Sequence, residues 1–267
     1  GHPVYIIAEM SANHGQDFDY AVKILNAMKE AGADAVKLQT YTPDTMTIDC
    51  DREEFLVGGG TLWDGKTLYE LYGEAYTPWE WQPKLKDIAN DLDMDLFSTP
   101  FDSTSVDFLE NMEVPAYKIA SFELIDIPLI IYVASKGKPL IISTGMGSAE
   151  EISDAIDAVH ATGNDQLILL KCTSAYPAKP DEMNLRTITD IKERFHVPVG
   201  LSDHSLDTNV PCAAVTLGAC IIEKHFCISR NKPGPDSAFS LEPHEFKEMV
   251  DKIRNIEKLI DGEENPN

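Results

Sequence analysis

The chain has 267 residues, of which 43% are hydrophobic, and its net charge at pH 7 is −23. This length suits one large barrel or two small domains. The charge argues against nucleic acid and anionic membranes as partners, and no apolar run reaches the roughly 18 residues that a membrane-spanning helix needs. Five cysteines, without a Cys-x-x-Cys pair, predict free thiols in a reducing cytoplasm.

Eight short segments rich in Val, Ile and Leu are typical of buried parallel strands. They cover residues 4–8, 35–39, 95–98, 116–120, 140–143, 167–172, 197–201 and 219–223. Helical periodicity follows each of them, at residues 19–31, 80–92, 103–112, 127–136, 148–162, 182–195, 209–217 and 243–260. Eight strand–helix units over about 250 residues predict a single (β/α)8 TIM barrel spanning residues 3–262. A doubly wound open sheet is the alternative fold, although no Gly-x-Gly-x-x-Gly turn follows the first strand.

The connection between residues 41 and 78 is much longer than an ordinary strand-to-helix loop. It contains several aromatic side chains and the triplet Gly58, Gly59 and Gly60. On the catalytic face, such a loop would be a lid or a substrate wall, and the alternative is a surface insertion that packs on itself. The polar tail at residues 261–267 is expected to be frayed.

Polar side chains recur where the predicted strands end, which is where TIM barrels carry their catalytic groups. They are Glu9, Lys37, Gln39, Thr99, Lys118, Ser121, Glu123, Ser174, Tyr176, Ser202, His204 and His225, with Asp236 in the loop after the last strand. Four lysines lie inside apolar segments, where each needs an anion or a carboxylate; they are Lys37, Lys118, Lys171 and Lys224.

Two of these lysines indicate an anion pocket. The charges of Lys37 and Lys118 would bind a small polyanion together with nearby hydroxyls, which are those of Thr99, Ser121, Ser174 and Ser202. Three alternatives remain open. The lysines could pair with Glu9 or Glu123 inside the barrel, one of them could form a Schiff base as in aldolases, or the hydroxyls could simply cap the next helix.

Two histidines at successive strand ends indicate a metal site. Neutral imidazoles bind divalent ions, with carboxylates or water completing the coordination shell, so His204 and His225 could share one ion. A single histidine is more often structural, and His14 could join the pair or contact substrate. Three other histidines lie away from this face and are given no role: His160, His196 and His244.

Several segments together resemble the sialic acid synthase family over nearly the whole chain. They are residues 7–14, 32–40, 115–121, 143–146, 172–177, 200–204 and 233–236. Within that family, residues 9–14, 39–45 and 62–81 resemble the pseudaminic acid synthase branch. The N-acetylneuraminate branch usually has Glu-Ala-Gly-x-Asn-His and Lys-Phe-Gln at the first two places.

The resemblance implies that phosphoenolpyruvate condenses with an open-chain N-acetylated amino sugar of the 2,4-diacetamido-2,4,6-trideoxy-altrose type. A nine-carbon 2-keto acid forms, and phosphate leaves. The cofactor would be a divalent metal, typically Mn²⁺, with Mg²⁺ or Co²⁺ as other choices. A face-to-face homodimer is also implied, and this chain is expected to lack the small antifreeze-like domain of the family.

The resemblance also implies a role for each site residue. His204 and His225 would bind the metal, and Glu9 or Glu123 would position or deprotonate the water that adds to C2. The phosphate would be held by Lys118, Thr99, Ser121, Ser174 and Ser202, with Lys37 near the carboxylate. Ser174 stands where the sialic acid branch carries Asn. Contacts to the sugar would come from Gln39, Tyr176 and Asp236.

Other functions remain open on the sequence alone. An N-acetylneuraminate or legionaminate synthase would use the same chemistry on another sugar. A barrel that binds sugar or phosphate without turnover belongs to a different class, and a Schiff-base aldolase would need no metal. Borohydride trapping of a lysine on substrate would identify the aldolase.

Overall fold

Eight parallel strands form a closed barrel in the computed structural model, which describes residues 2–58, 60, 63–232 and 234–260. The strands are β1 (Tyr5–Glu9), β2 (Ala35–Thr40), β3 (Asp95–Pro100), β4 (Tyr117–Ile119), β5 (Leu140–Ser143), β6 (Leu167–Cys172), β7 (Val199–Asp203) and β8 (Ile221–His225). Each strand pairs with the next, and β8 closes on β1. The predicted TIM barrel is therefore confirmed. The tail at 261–267, the predicted domain end at 262 and Gly59 lie outside the described residues.

Helices surround the barrel. They are α1 (Phe18–Glu30), α2 (Pro43–Met46), α3 (Leu68–Ala75), α4 (Gln82–Asp91), α5 (Ser103–Asn111), α6 (Ile127–Ala134), α7 (Ala149–Ala161), α8 (Thr187–Phe195), α9 (Asn209–Thr216) and α10 (Pro243–Ile260). The predicted start of α8 at residue 182 is wrong, because Asn184 has a left-handed backbone (φ 44°) and interrupts the helix. None of the helices in the described part of the chain has the length and apolarity needed to cross a membrane.

Strands β7 and β8 both begin and end two residues later than their apolar runs predict. Their last residues are charged or polar, so hydrophobicity alone ends the prediction too early. Pairing continues through these positions, because Asp203 pairs with Lys224 and Glu9 pairs with His225. His225 is therefore the last residue of β8, and His204 immediately follows β7.

The barrel interior is narrow at its centre. A Cβ atom on Gly200 would lie 2.5 Å from the carbonyl oxygen of Ile221 and 2.7 Å from a methyl group of Leu170. Only glycine fits there without displacing the neighbouring strand. Apolar side chains close this level of the barrel, and polar side chains occupy the level above it.

The long connection between β2 and α4 folds against the carboxyl ends of the strands. Helix α3 starts with a capping box between Thr67 and Glu70. The Tyr41 and Tyr72 rings lie 5.6 Å apart, edge to face. Trp63 Nε1 donates to the carbonyl oxygen of Pro235 at 2.9 Å, which ties the connection to the loop after β8. The connection therefore packs on itself and also covers part of the catalytic face.

Candidate active site

Strand pairing brings the predicted polar residues onto one inward-facing ring. Glu9 pairs with both Lys37 and His225, and Gln39 pairs with Thr99. Ser202 pairs with Cys172 on one side and with Glu223 on the other. Paired residues of neighbouring parallel strands point to the same side of a sheet. These side chains therefore meet inside the barrel at the carboxyl ends of the strands.

Two lysines and two glutamates form a buried charge network in this ring. Lys37 forms an ion pair with Glu9 and lies 3.7 Å from Glu223. Lys118 Nζ lies 3.4 Å from Glu223 Oε1, which also accepts a hydrogen bond from Ser202 Oγ at 3.1 Å. Both lysines thus pair with carboxylates inside the barrel, which is one of the alternatives left open by the sequence. For Lys118, however, the partner is Glu223 rather than Glu9 or Glu123, and Glu223 is not among the predicted site residues.

The two carboxyl groups of this network have opposite pKa shifts. Burial raises the pKa of Glu9, and the charge of Lys37 offsets this only in part. Burial also opposes ionisation of Glu223, but the charges of Lys118 and Lys37 outweigh it, so its pKa lies below the ordinary value. Carboxyl groups whose pKa values are driven apart take different protonation roles. Glu9 therefore holds a proton more readily than an ordinary glutamate, whereas Glu223 stays ionised.

Glu123 provides a second carboxyl group with a raised pKa, for which burial is the main cause. It lies in a 3-10 turn, Ser121–Ile125, directly after β4. Its Oε2 atom is buried, and no described residue forms a hydrogen bond with it. An oxygen in this state is available to accept a proton from a bound water molecule.

The geometry of the two histidines fits a metal ion. Their ring centroids lie 5.4 Å apart. His204 Nδ1 donates to the carbonyl oxygen of Thr173 at 2.9 Å, which leaves Nε2 as its available nitrogen. Burial holds the pKa of His225 well below its usual value, so the ring is neutral, and its buried Nδ1 has no hydrogen-bond partner in the described part of the chain.

The protein would supply two imidazole nitrogens to the coordination shell of the ion. Among the described residues, no group of three or more His, Cys, Asp or Glu side chains is arranged to hold an ion. Water and substrate oxygens would therefore complete the shell, as is usual at catalytic sites that keep open positions.

The predicted phosphate-binding hydroxyls lie on two sides of the ring. Lys37 Nζ donates to Thr99 Oγ1 at 3.4 Å, and Ser121 Oγ accepts from the Gly145 amide at 3.1 Å. A Cβ atom on Gly145 would lie 2.8 Å from Ser121 Oγ and closer still to Ser174 Oγ. The backbone of Gly145 therefore packs directly against the two serines and fixes their positions.

Two inward-facing residues were not selected from the sequence. Ser143 Oγ is buried and forms no hydrogen bond with the described residues. Cys172 Sγ lies 4.0 Å from His204 Nδ1. Although burial raises the pKa of this thiol, the contact with His204 lowers it to about 7 overall. Their place at the ends of strands was a usable signal, but only strand pairing shows which way they face.

A cavity of about 500 Å³ opens above the ring. Gln39, Tyr176 and Asp236, for which contacts to a sugar are predicted, all line it. Gln39 Nε2 donates to Ser11 Oγ at 3.0 Å, and the Ser11 hydroxyl in turn contacts Asp236. The opposite wall is largely apolar and comes from the long connection and the turn after β4, with Val57, Leu68, Leu71, Tyr72 and Phe122. The connection is therefore a wall of this cavity.

Two positions do not join the site. His14 lies 3.2 Å from Thr77 Oγ1, and its other ring nitrogen accepts from the amide of Gln16. It anchors the connection rather than a metal or a substrate, and burial lowers its pKa to about 4. Lys224 forms an ion pair with Asp203 on the outer side of the sheet, where it meets the carboxylate that its burial requires.

A closed (β/α)8 barrel with buried cations, carboxyl groups of raised pKa and a histidine pair at its carboxyl face defines a TIM-barrel enzyme. Residues 24–265 match the model of the NeuB family, and the chain belongs to this family. It is 47% identical to the pseudaminic acid synthase of Helicobacter pylori, covering 99% of this chain and 77% of that protein. It is 46% identical to a pseudaminic acid synthase of Campylobacter jejuni, covering 96% and 75%.

The fold is similar to a crystal structure of N-acetylneuraminic acid synthetase from Leptospira borgpetersenii in complex with citrate. The TM-score is 0.89 at 31% identity, and the match covers 100% of this chain and 88% of that one. The predicted family and fold are therefore both confirmed.

Proposed function

We propose that this protein condenses phosphoenolpyruvate with an open-chain 2,4-diacetamido-2,4,6-trideoxy-altrose-type sugar to form pseudaminic acid, a nine-carbon 2-keto acid, with release of phosphate. The observation that carries this proposal is the two-level site. A floor with two buried lysines and two histidines lies beneath a cavity that is polar on one side and apolar on the other. Similarity to two pseudaminic acid synthases supports the same activity.

The floor would hold phosphoenolpyruvate. Lys118 would bind the phosphate, and Lys37 would lie near the carboxylate. The hydroxyls that share this task are those of Thr99, Ser121, Ser174 and Ser202. Lysine supplies the charge and the hydroxyls supply directed donors, a combination that suits phosphate oxygens. Pairing with carboxylates raises the pKa of Lys37 above its ordinary value despite burial, and at Lys118 the charge of Glu223 offsets in part the lowering of the pKa by burial.

His204 and His225 would hold a divalent ion, for which Mn²⁺ is the proposed identity and Mg²⁺ or Co²⁺ are the alternatives. When bound, such an ion supplies Lewis-acid polarisation of the sugar aldehyde. The hydrogen bond from His204 to Thr173 fixes the ring so that Nε2 is the coordinating atom.

The reaction would proceed through one new carbon–carbon bond. C3 of phosphoenolpyruvate attacks the aldehyde carbon, and the aldehyde oxygen takes up a proton to become a hydroxyl. Positive charge develops at C2, where a nearby carboxylate stabilises it. Water adds to C2 and gives its proton to Glu9 or Glu123, whose raised pKa values suit a general base. The bond between C2 and the phosphate oxygen then breaks, the C2 hydroxyl gives its proton to the departing phosphate, and the 2-keto acid and inorganic phosphate remain.

The apolar wall favours a deoxy sugar over a fully hydroxylated one. A substrate with a methyl group at C6 and two acetamido methyl groups can bury apolar surface against Leu68, Leu71 and Tyr72. N-acetylmannosamine would place a hydroxyl there without a partner. Gln39, Tyr176 and Asp236 would contact the polar side of the sugar. Neuraminate and legionaminate synthesis are the alternatives with the same chemistry.

We further propose that the protein is an enzyme of the cytoplasm, acts as a homodimer on small molecules and has no nucleic-acid or membrane partner. The strongly acidic surface supports the exclusion of nucleic acid.

Sugar-dependent release of inorganic phosphate tests the proposed reaction. The protein, with Mn²⁺ and phosphoenolpyruvate, is given the diacetamido-trideoxy sugar or N-acetylmannosamine, and the keto-acid product is identified by mass. Faster turnover of the deoxy sugar is expected. Chelation and His204→Ala should each abolish release, and Lys118→Met should weaken phosphoenolpyruvate binding by about 2–5 kcal/mol.

Phosphate release that persists after chelation and in His204→Ala would contradict the metal role. Binding of phosphoenolpyruvate and sugar without any product would favour a non-catalytic binding barrel. A lysine trapped on substrate by borohydride would favour the aldolase.

A further inference from the structure

A second cavity, of about 160 Å³, lies outside the barrel between helices α7 and α8. Its lining includes Gly147 and Ala149 at the start of α7, Thr187 at the start of α8, and the side chains of Lys171 and Arg194. The cavity has about five times the volume that one water molecule occupies in the liquid. It therefore has room for an ion of several heavy atoms and is separate from the space above the ring.

Lys171 is the unusual residue in this cavity. It alternates along β6 with Cys172, whose side chain faces into the barrel, so Lys171 faces the helices. The residue as a whole is only 6% exposed, and its one hydrogen bond to the described residues goes to the neutral, part-buried hydroxyl of Thr173. No carboxylate in the described part of the chain lies within ion-pair distance of it. A buried ammonium group without a counter-charge is costly.

Lys224 provides a comparison in the same fold. It also lies on the outer side of the sheet and is also buried, but it forms an ion pair with Asp203 and donates to the carbonyl oxygen of Ser205. Because Asp203 is already bound by Lys224 and Ser205, it is not free to pair with Lys171. Burial lowers the pKa of Lys171, and the charges of Cys172 and Asp203 offset this only in part.

Arg194 adds positive potential to the cavity. Its only counter-charge among the described residues is Asp190, at 3.5 Å in a pair that is exposed on both sides. Such exposed pairs are weak. Helix α7 does not add to this charge, because Ser148 caps its N-terminus and its first turn carries Glu150 and Glu151. With Asp190 included, the lining carries two cations and one anion, in a chain whose net charge is −23.

We propose that this cavity is a second anion site, which binds a small oxyanion of the inorganic phosphate type between α7 and α8. The bound anion supplies the counter-charge that Lys171 lacks. The site lies directly behind the catalytic ring, because Thr173 accepts from Lys171 through its hydroxyl and from His204 through its carbonyl oxygen. It does not depend on the proposed reaction, since no residue of the substrate floor takes part in it.

Calorimetric titration of inorganic phosphate into the full chain tests this site. In the unchanged protein, two phosphate sites are expected. The Lys118→Met background removes phosphate binding at the substrate floor, so one site is expected there. Adding Lys171→Met should weaken the remaining site at least tenfold, whereas Lys171→Arg should retain it. Arg194→Gln is the second variant, at a half-exposed position that tolerates substitution, and should weaken the site severalfold.

Phosphate affinity that Lys171→Met leaves within twofold of its parent would overturn the proposal. An equal loss of phosphate affinity in Lys171→Arg and Lys171→Met would also overturn it, because arginine keeps the positive charge that would bind the anion. A single phosphate site in the unchanged protein that Lys118→Met abolishes would show that only the substrate floor binds anions. Absence of sugar-dependent turnover would leave all these outcomes unaffected, so failure of the proposed function and failure of this site are distinguishable.

Discussion

Glu223 holds the charge network of the active site together, and its replacement gives the sharpest test of that network. Its carboxylate lies 3.4 Å from Lys118 and 3.7 Å from Lys37, and it accepts a hydrogen bond from Ser202. In Glu223→Gln, the shape and one acceptor oxygen remain, but the two buried lysines share only the carboxylate of Glu9. Two cations then face one anion in a water-poor interior.

The expected loss is large. Removing one partner of a buried ion pair costs about 3–5 kcal/mol, and because glutamine still accepts from Ser202, we expect about 3 kcal/mol at pH 7. The lowered pKa of Glu223 fixes the sign of the pH dependence. Its stabilising contribution is fully present above the unfolded-state pKa and is lost as the pH falls through the lower, folded-state value. Measurement at pH 7 therefore captures the full effect.

Ligand binding should reverse part of this loss. Phosphoenolpyruvate brings negative charge to the same two lysines, so it should raise the free energy of unfolding more in Glu223→Gln than in the unchanged protein. Equilibrium urea unfolding with and without phosphoenolpyruvate measures both quantities. Glu193→Gln, at an exposed position on α8, is the matched control. A loss below about 1 kcal/mol, or equal stabilisation of both proteins by the ligand, would refute the shared counter-charge.

Two further predictions concern the phosphate side of the ring and the anchor of the long connection. Gly145→Ala should displace the Ser174 hydroxyl and weaken phosphoenolpyruvate binding by about 1–3 kcal/mol in calorimetry. The control is Gly58→Ala, where a Cβ atom meets nothing within 4 Å. If both variants bind phosphoenolpyruvate equally well, the close packing at Gly145 is contradicted. The folded-state pKa of His14, about 4, lies below its unfolded-state value. The free energy of unfolding should therefore decrease by about 3 kcal/mol as the pH falls from about 6.5 to 4. His14→Gln should reduce this acid loss in unfolding measurements while His160→Gln keeps it, and unchanged acid sensitivity in His14→Gln would reject the buried neutral imidazole.

The fold was predictable because each strand of a parallel barrel is buried on both faces. Such strands appear in the sequence as short apolar runs, and eight of them alternating with helices leave few other architectures. The ends of β7 and β8 were misplaced for a related reason. The last two residues of each strand are polar or charged on both faces, with Ser202 and His225 inward and Asp203 and Lys224 outward, so the apolar signal stops two residues before the hydrogen-bonded ladder does.

The site was predictable only as far as strand ends reveal it. His204 and His225 follow from their places in the chain, but the partner of Lys118 does not. Glu223 is 105 residues away from Lys118, and only the closed barrel brings them within 3.4 Å. The contact of His14 with Thr77 is likewise hidden in the sequence, because Thr77 lies 63 residues away in the long connection.

The structure also separates the two carboxyl groups proposed as general bases. Glu9 is tied to cationic and polar neighbours, since one oxygen accepts from the amide of Ser11 and from Gln39, and the other forms an ion pair with Lys37. Glu123 has a raised pKa and a buried oxygen that no described residue uses as an acceptor. A base must be able to reach the water whose proton it takes. We therefore infer that Glu123 accepts the proton, whereas Glu9 orients Lys37 and stabilises the positive charge that develops at C2.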